Sequence, residues 1–192
     1  MDIFELKGTV RKNLGKKASR EERKEERVPC VLYGDGENVH FSVLEKEVNK
    51  LLYTPNVYIV KLDLDGKTED AILKDSQFHP VTDRVLHLDF YRIFEDKKVE
   101  MQIPVSLKGF AEGVRAGGKL NLLTRKLRVY ALPADLPKKL EVDVTNLGLG
   151  KAIKVKDLQF ENVEILNPQN MLVAQVKLTR AARAAAQTTA AE

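Results

Sequence analysis

Apolar side chains recur at every second position in short runs along most of this chain. Each run is stopped by glycine, proline or a polar cluster, and that period constrains the fold more than any other feature. The clearest run is 99–108, where Val99, Met101, Ile103, Val105 and Leu107 share one face. Similar runs fall at 3–10, 28–33, 39–43, 57–65, 67–73 and 84–93, and then at 126–132, 140–144, 163–166 and 171–178. Gly34-Asp35-Gly36 joins two of them as a hairpin, and Gly66 joins another pair. One segment reads as a helix, 44–52, with Leu44, Val48, Leu51 and Leu52 on a single face and an end near Thr54-Pro55. Many short strands with turn residues between them predict a mainly β chain, an all-β sandwich or an open barrel with short helices. The polar cluster Phe94-Glu95-Asp96-Lys97-Lys98 interrupts the pattern. It divides the chain into a domain at 1–94, a second β-rich domain at 95–178, and an Ala-rich tail at 179–192 that lacks an apolar stripe.

Charge is unevenly placed. Over the whole chain the net charge is only +4, and residues 1–94 hold 16 cations against 17 anions. Between Leu6 and Arg20, however, six cations (Lys7, Arg11, Lys12, Lys16, Lys17, Arg20) occur with no acid. A basic stripe on a balanced domain predicts a positioned contact with an anionic partner rather than general stickiness. Apolar content falls after Val10 and Gly15 permits a turn, so 11–20 reads as a basic loop. The mixed-charge segment 21–27 that follows has opposite charges at helical spacing and reads as a short exposed helix. No run is long and apolar enough to span a bilayer, and the first ten residues carry acids and lack the apolar stretch of a signal peptide. A single cysteine fits a reducing compartment, and the expectation is a cytoplasmic protein.

Catalytic groupings are missing from the sequence. His40, His79 and His87 form no HExxH or other close ligand pair, and Cys30 has no CxxC partner. Set between Pro29 and Val31 in an apolar run, Cys30 reads as a small buried hydrophobe. Neither a GxSxG elbow nor a phosphate-cradling loop is present. No enzyme activity, cofactor, metal site or small-molecule substrate is expected.

Longer-range order adds a family. Basic loop, Ser19-Arg20 and Val28-Pro29-Cys30-Val31-Leu32-Tyr33-Gly34 are followed by Gln77-Phe78-His79-Pro80 and His87-Leu88-Asp89-Phe90-Tyr91. The second half adds Ile103-Pro104-Val105, Gly109-Phe110-Ala111-Glu112-Gly113-Val114, Gly117-Gly118, Leu132-Pro133, Leu136-Pro137, Glu141-Val142-Asp143-Val144 and Leu147-Gly148. In this order and spacing they resemble the bacterial large-subunit ribosomal protein twenty-five family in its long form, the general stress protein CTC type. The resemblance implies an N-terminal six-stranded barrel-like domain that binds 5S rRNA, and a second β domain available to neighbouring ribosomal proteins. It implies a ribosome-associated protein.

Carried over position by position, the resemblance places Arg11, Lys12, Lys16, Lys17, Ser19, Arg20 and Arg23 in the RNA-contacting loop region. Tyr33, Gln77, His87 and Asp89 match the family's other contacts. The chemistry suits these roles, with cations for phosphates, an amide that both donates and accepts, and a histidine for a base or a 2′-hydroxyl. Asp89 falls on the same strand face as His87, placed to accept a base amino proton or to orient the imidazole. Tyr33 is either a contact or a packed strand aromatic, and Tyr91, on the face of His87, either stacks on RNA or lies over the core edge. This chain departs from the family at Glu21 and Glu22, acids that repel phosphates. The rival reading is a protein–protein adaptor that docks an acidic partner through the basic face.

Overall fold

The structure, a computed structural model, describes residues 2–54 and 56–179. The tail expected at 179–192 therefore lies, from Arg180 on, outside the described residues. Two compact units divide the chain. One runs to Val99 and takes in Leu132–Ala134, and the other holds Glu100–Ala131 and the chain from Asp135.

In the first unit six strands, β1 (Asp2–Val10), β2 (Arg27–Tyr33), β3 (Val39–Leu44), β4 (Tyr58–Leu64), β5 (Lys67–Phe78) and β6 (Val85–Arg92), close a barrel in the order β1-β3-β2-β6-β5-β4. Two of its seams are parallel, β1 with β4 and β2 with β6. Closure, rather than an open barrel or a sandwich, leaves no strand edge unpaired. The alternation dictates which residues fill the interior: Leu6, Val28, Cys30, Leu32, Phe41, Val43, Val60, Leu62, Leu88 and Phe90 are all buried. Burying each large side chain contributes about 1.5–3 kcal/mol. The Phe41 and Phe90 rings meet at 5.7 Å. Gly8 makes room for them, because a Cβ there would stand 2.7 Å from a Phe41 ring carbon and 2.8 Å from a Leu64 methyl.

The β4–β5 connection is a two-residue hairpin. Leu64 lies opposite Lys67, and Asp65 and Gly66 both have positive φ (50° and 90°), as a type I′ turn requires. Helix α2 (Glu45–Leu52) sends Val48 and Leu51 into the core. Leu44, expected on that helical face, instead ends β3 and is exposed, because the helix begins only at Glu45. Bidentate contact from Arg84 to Glu45 (2.6 and 3.3 Å) ties the start of α2 to the approach of β6.

The expected partner strand at 67–73 is too short. It continues to Phe78 across a bulge at Lys74, where the register with β6 shifts between Leu73 and Asp75. A bulge inserts a residue and re-aims the side chains after it, and so Gln77 comes to lie directly opposite His87.

The second unit holds a four-stranded sheet, in the order β10-β7-β9-β12, and a three-stranded sheet, β11-β13-β8. Their strands are β7 (Val99–Lys108), β8 (Lys119–Leu122), β9 (Lys126–Ala131), β10 (Leu140–Asp143), β11 (Ala152–Lys154), β12 (Glu164–Ile165) and β13 (Leu172–Lys177). Met101, Ile103, Val105, Leu127, Val129, Leu140, Val142, Val173, Ala174 and Val176 are buried. Sequence periodicity misses β8 and β11, whose four and three residues are too few to establish a period. It also misses the single turn of helix α3 (Glu112–Arg115). Gly113 on α3 has backbone for a neighbour: a Cβ would lie 2.6 Å from the Gly148 carbonyl carbon and 2.7 Å from the Leu149 nitrogen. Its N–H donates to the Leu147 carbonyl at 2.9 Å. Two motifs separated by more than thirty residues in the sequence thus meet at one glycine–glycine contact.

Candidate nucleic-acid interface

The basic segment splits into a short loop and a helix. Residues 16–20, expected as part of the loop, form the first half of α1 (Lys16–Lys24), which also takes in Glu21–Lys24 of the mixed-charge segment. From Lys16 to Lys24 no residue has a positive φ, and Lys, Ala, Arg and Glu are strong helix formers, so the helix nucleates directly after Gly15 (φ 109°). Its N-terminus has no side-chain cap and no acid in the first turn. Lys16 and Lys17 stand there instead, where the macrodipole favours anions and opposes cations.

Helix α1 packs on β2, and two groups beneath it show how closely. Pro29 and Ser42 point outward by strand alternation and lie opposite each other, yet both are buried. Arg11 fastens the loop to the helix. Its guanidinium is 3.4 Å from the Glu22 carboxylate and donates to the Ser19 hydroxyl at 3.2 Å, and its side chain is only 7% exposed. The other Glu22 oxygen is 3.3 Å from Arg27, whose guanidinium also donates to Ser42 and Thr9. Farther along, Arg23 donates to the Leu86 carbonyl at 3.0 Å, and Arg84 donates to the Arg23 carbonyl. Glu22 therefore serves as a clamp between two arginines instead of a bare charge facing a phosphate. Glu21 is exposed.

These contacts sort the basic side chains. Arg11, Ser19 and Arg23 are engaged in holding α1 to the barrel. Lys12, Lys16, Lys17 and Arg20 are exposed and have no ion-pair partner among the described residues. The second group presents its charge to solvent.

The other predicted residues gather on the outer face of β5, β6 and β2. Alternation turns Leu88 and Phe90 inward, so His87, Asp89 and Tyr91 point out. His87 Nδ1 is 2.7 Å from Asp89 Oδ1, each side chain 29% exposed. A carboxylate on Nδ1 fixes the ring so that Nε2 faces outward. Gln77 lies opposite His87, and Asp75 opposite Asp89. On the other side Tyr33 is in register with Tyr91, their rings edge-to-face at 5.8 Å and 74°. Burial, with the carboxylates of Asp89 and Asp75 nearby, pushes the Tyr33 phenol above its usual range and keeps it a hydrogen-bond donor.

Asp75 is the residue that sequence reasoning missed. Its signal was its position two before Gln77, legible only once the strand was known to run that far. With Asp75 and Asp89 paired across the strands, the row repels phosphates and offers acceptors for amino and hydroxyl protons. Exposed cations and outward hydrogen-bonding groups are therefore physically separated, on the loop and α1 and on the β6 row.

Burial pushes the Cys30 thiol far up, which leaves it unreactive. Among the described residues no three histidine, cysteine or acidic side chains cluster as a metal site would need. No helix among them is long and apolar enough to cross a membrane.

Residues 6–90 match the Ribosomal L25p family, and residues 98–180 match the C-terminal domain of ribosomal protein TL5. Large ribosomal subunit protein bL25 of Phocaeicola vulgatus is 55% identical, with 98% of each chain covered. The bL25 proteins of Bacteroides thetaiotaomicron (52%, 97% of each chain) and Azobacteroides pseudotrichonymphae (53%, 95% of this chain and 97% of the other) are similar over comparable spans. Sequence similarity at this level over both units, on a barrel and a second β unit in the matching order, places this chain in the bL25 family of ribosomal proteins, which is not a family of enzymes.

Proposed function

We propose that this protein is a structural component of the large ribosomal subunit that binds 5S rRNA through its barrel unit. The observation that carries the reading is the outward row Gln77, His87, Asp89, Tyr91 and Tyr33, lying on strands next to a helix that exposes Lys16, Lys17, Arg20 and Lys24 against one exposed acid, Glu21. Lys12, Lys16, Lys17 and Arg20 neutralise backbone phosphates. The oriented His87 imidazole and the Gln77 amide read base edges or 2′-hydroxyls, and the tyrosine pair supplies an aromatic platform. Such a division suits a folded RNA with an accessible groove or loop. Assembly into the subunit follows from the family, and it makes the protein ribosome-associated.

Binding of the full chain to purified 5S rRNA, compared with a length-matched control RNA across a salt series, tests this directly. The expected result is tighter binding to 5S rRNA at every salt concentration, with a steep salt dependence for both RNAs. Equal affinities for the two would defeat the specific reading.

A further inference from the structure

The second unit separates its charges by sheet. Along the four-stranded sheet acids and bases alternate and pair, with Lys108 near Glu141 and Arg128 near Glu100. On the three-stranded sheet the strands β8, β11 and β13 carry Lys119, Lys154 and Lys177 and not one acid.

Two of these lysines face each other. Lys119 and Lys177 lie directly opposite in the antiparallel β8–β13 register, both exposed, and neither has an ion-pair partner among the described residues. Like charges in direct cross-strand register destabilise a sheet, so nothing in the folding of this unit calls for the pair. Two residues along on the same face, Asn121 lies opposite Gln175, both half-buried. The face thus presents two ammonium groups beside two amides, and the buried side of β13 is apolar, with Ala174 and Val176.

We infer that this face of the three-stranded sheet is a second RNA-backbone contact, in which Lys119 and Lys177 bridge phosphates and Asn121 and Gln175 bond to ribose hydroxyls. Charge complementarity selects a polyanion. Amides able both to donate and to accept favour RNA, whose 2′-hydroxyls do the same, over an acidic peptide that offers mainly acceptors. The inference is independent of which RNA the barrel unit binds.

The test uses the full chain with the barrel cations neutralised (K12A/K16A/K17A/R20A), so that a further change on substitution in the second unit reports that unit whether or not the barrel binds 5S rRNA. Into this background go K119A/K177A and, separately, K119R/K177R. The probe is a short RNA duplex of arbitrary sequence, titrated from low to moderate salt, with poly-glutamate as a competing polyanion. The expected result for K119A/K177A is weaker duplex binding and a salt slope smaller by about 0.7–0.9 for each phosphate no longer neutralised. K119R/K177R should restore both. Because removing the pair relieves repulsion, K119A/K177A should melt no lower than its parent, which separates a missing phosphate partner from a damaged fold. An unchanged slope in a folded K119A/K177A would overturn the inference. So would loss of poly-glutamate binding alone, which would assign the face to an acidic protein.

Discussion

At the scale of single residues, the cationic side chains of the barrel unit divide into anchors and contacts, and substitution should tell them apart. Arg11 is nearly buried between Ser19 and Glu22. Arg11→Ala removes a charge-assisted hydrogen bond and leaves Glu22 with Arg27 alone, a loss of about 1–3 kcal/mol. Urea denaturation should show it as a lower midpoint. Among the described residues the Arg20 side chain makes no hydrogen bond or ion pair to another element, and the His87 side chain bonds only Asp89 on its own strand. Arg20→Ala should reduce the salt slope of RNA binding by about 1, and His87→Ala should cost about 1–3 kcal/mol of affinity, both with an unchanged urea midpoint. A drop in midpoint for His87→Ala that matches its loss of affinity would make the imidazole structural. Composition alone shows six cations in a row without acids; it does not show that one of them is spent on holding the helix.

Among the elements, the bulge in β5 and the contact at Gly113 do most to shape the molecule. Without the extra residue at Lys74, every side chain beyond it would swap faces, and Gln77 would point into the barrel. In the second unit, Gly113→Ala sets two effects against each other. Alanine is better in a helix by about 1 kcal/mol. Its Cβ would nevertheless meet the Gly148–Leu149 backbone inside 3 Å, and overpacking against backbone costs about 1–3 kcal/mol. Sterics should win because α3 is a single turn with little propensity to gain. Thermal unfolding should show a destabilised second unit, while 5S rRNA affinity stays within twofold of the parent. A gain in stability would show that the loop at Gly148 yields freely.

For the molecule as a whole, the closed barrel is complete by Arg92 and the row and helix α1 both belong to it. A fragment of residues 1–99 should therefore fold with one cooperative transition and keep most of the affinity for 5S rRNA, measured in the same salt series. Its salt slope should be smaller than that of the full chain if the three-stranded sheet also touches RNA. A folded fragment without affinity would move the main site to the second unit. Domain limits at 1–94 and 95–178 remain our proposal for how the sequence is best cut, and a fragment of residues 1–94 that unfolds as cooperatively as 1–99 would support them.

What the sequence determined by itself was local. Period-two alternation selected the interior of the barrel, because a strand offers only two faces and water decides between them. Gly15 and Gly66 marked places where the backbone turns. The basic stripe was visible as composition, and the ordered motifs carried the family. Tertiary structure decided the rest, for reasons that no local pattern contains. Barrel closure depends on pairing between strands far apart in the chain. The burial of Arg11 and the clamping role of Glu22 exist only because α1 lies on β2. Asp75 joined the site through a bulge whose register is set by its partner strand. The Lys119–Lys177 pair, 58 positions apart in sequence, is a fact about register alone. The 5S-binding proposal accordingly rests on family and chemistry for its RNA, and on pairing across strands for its shape.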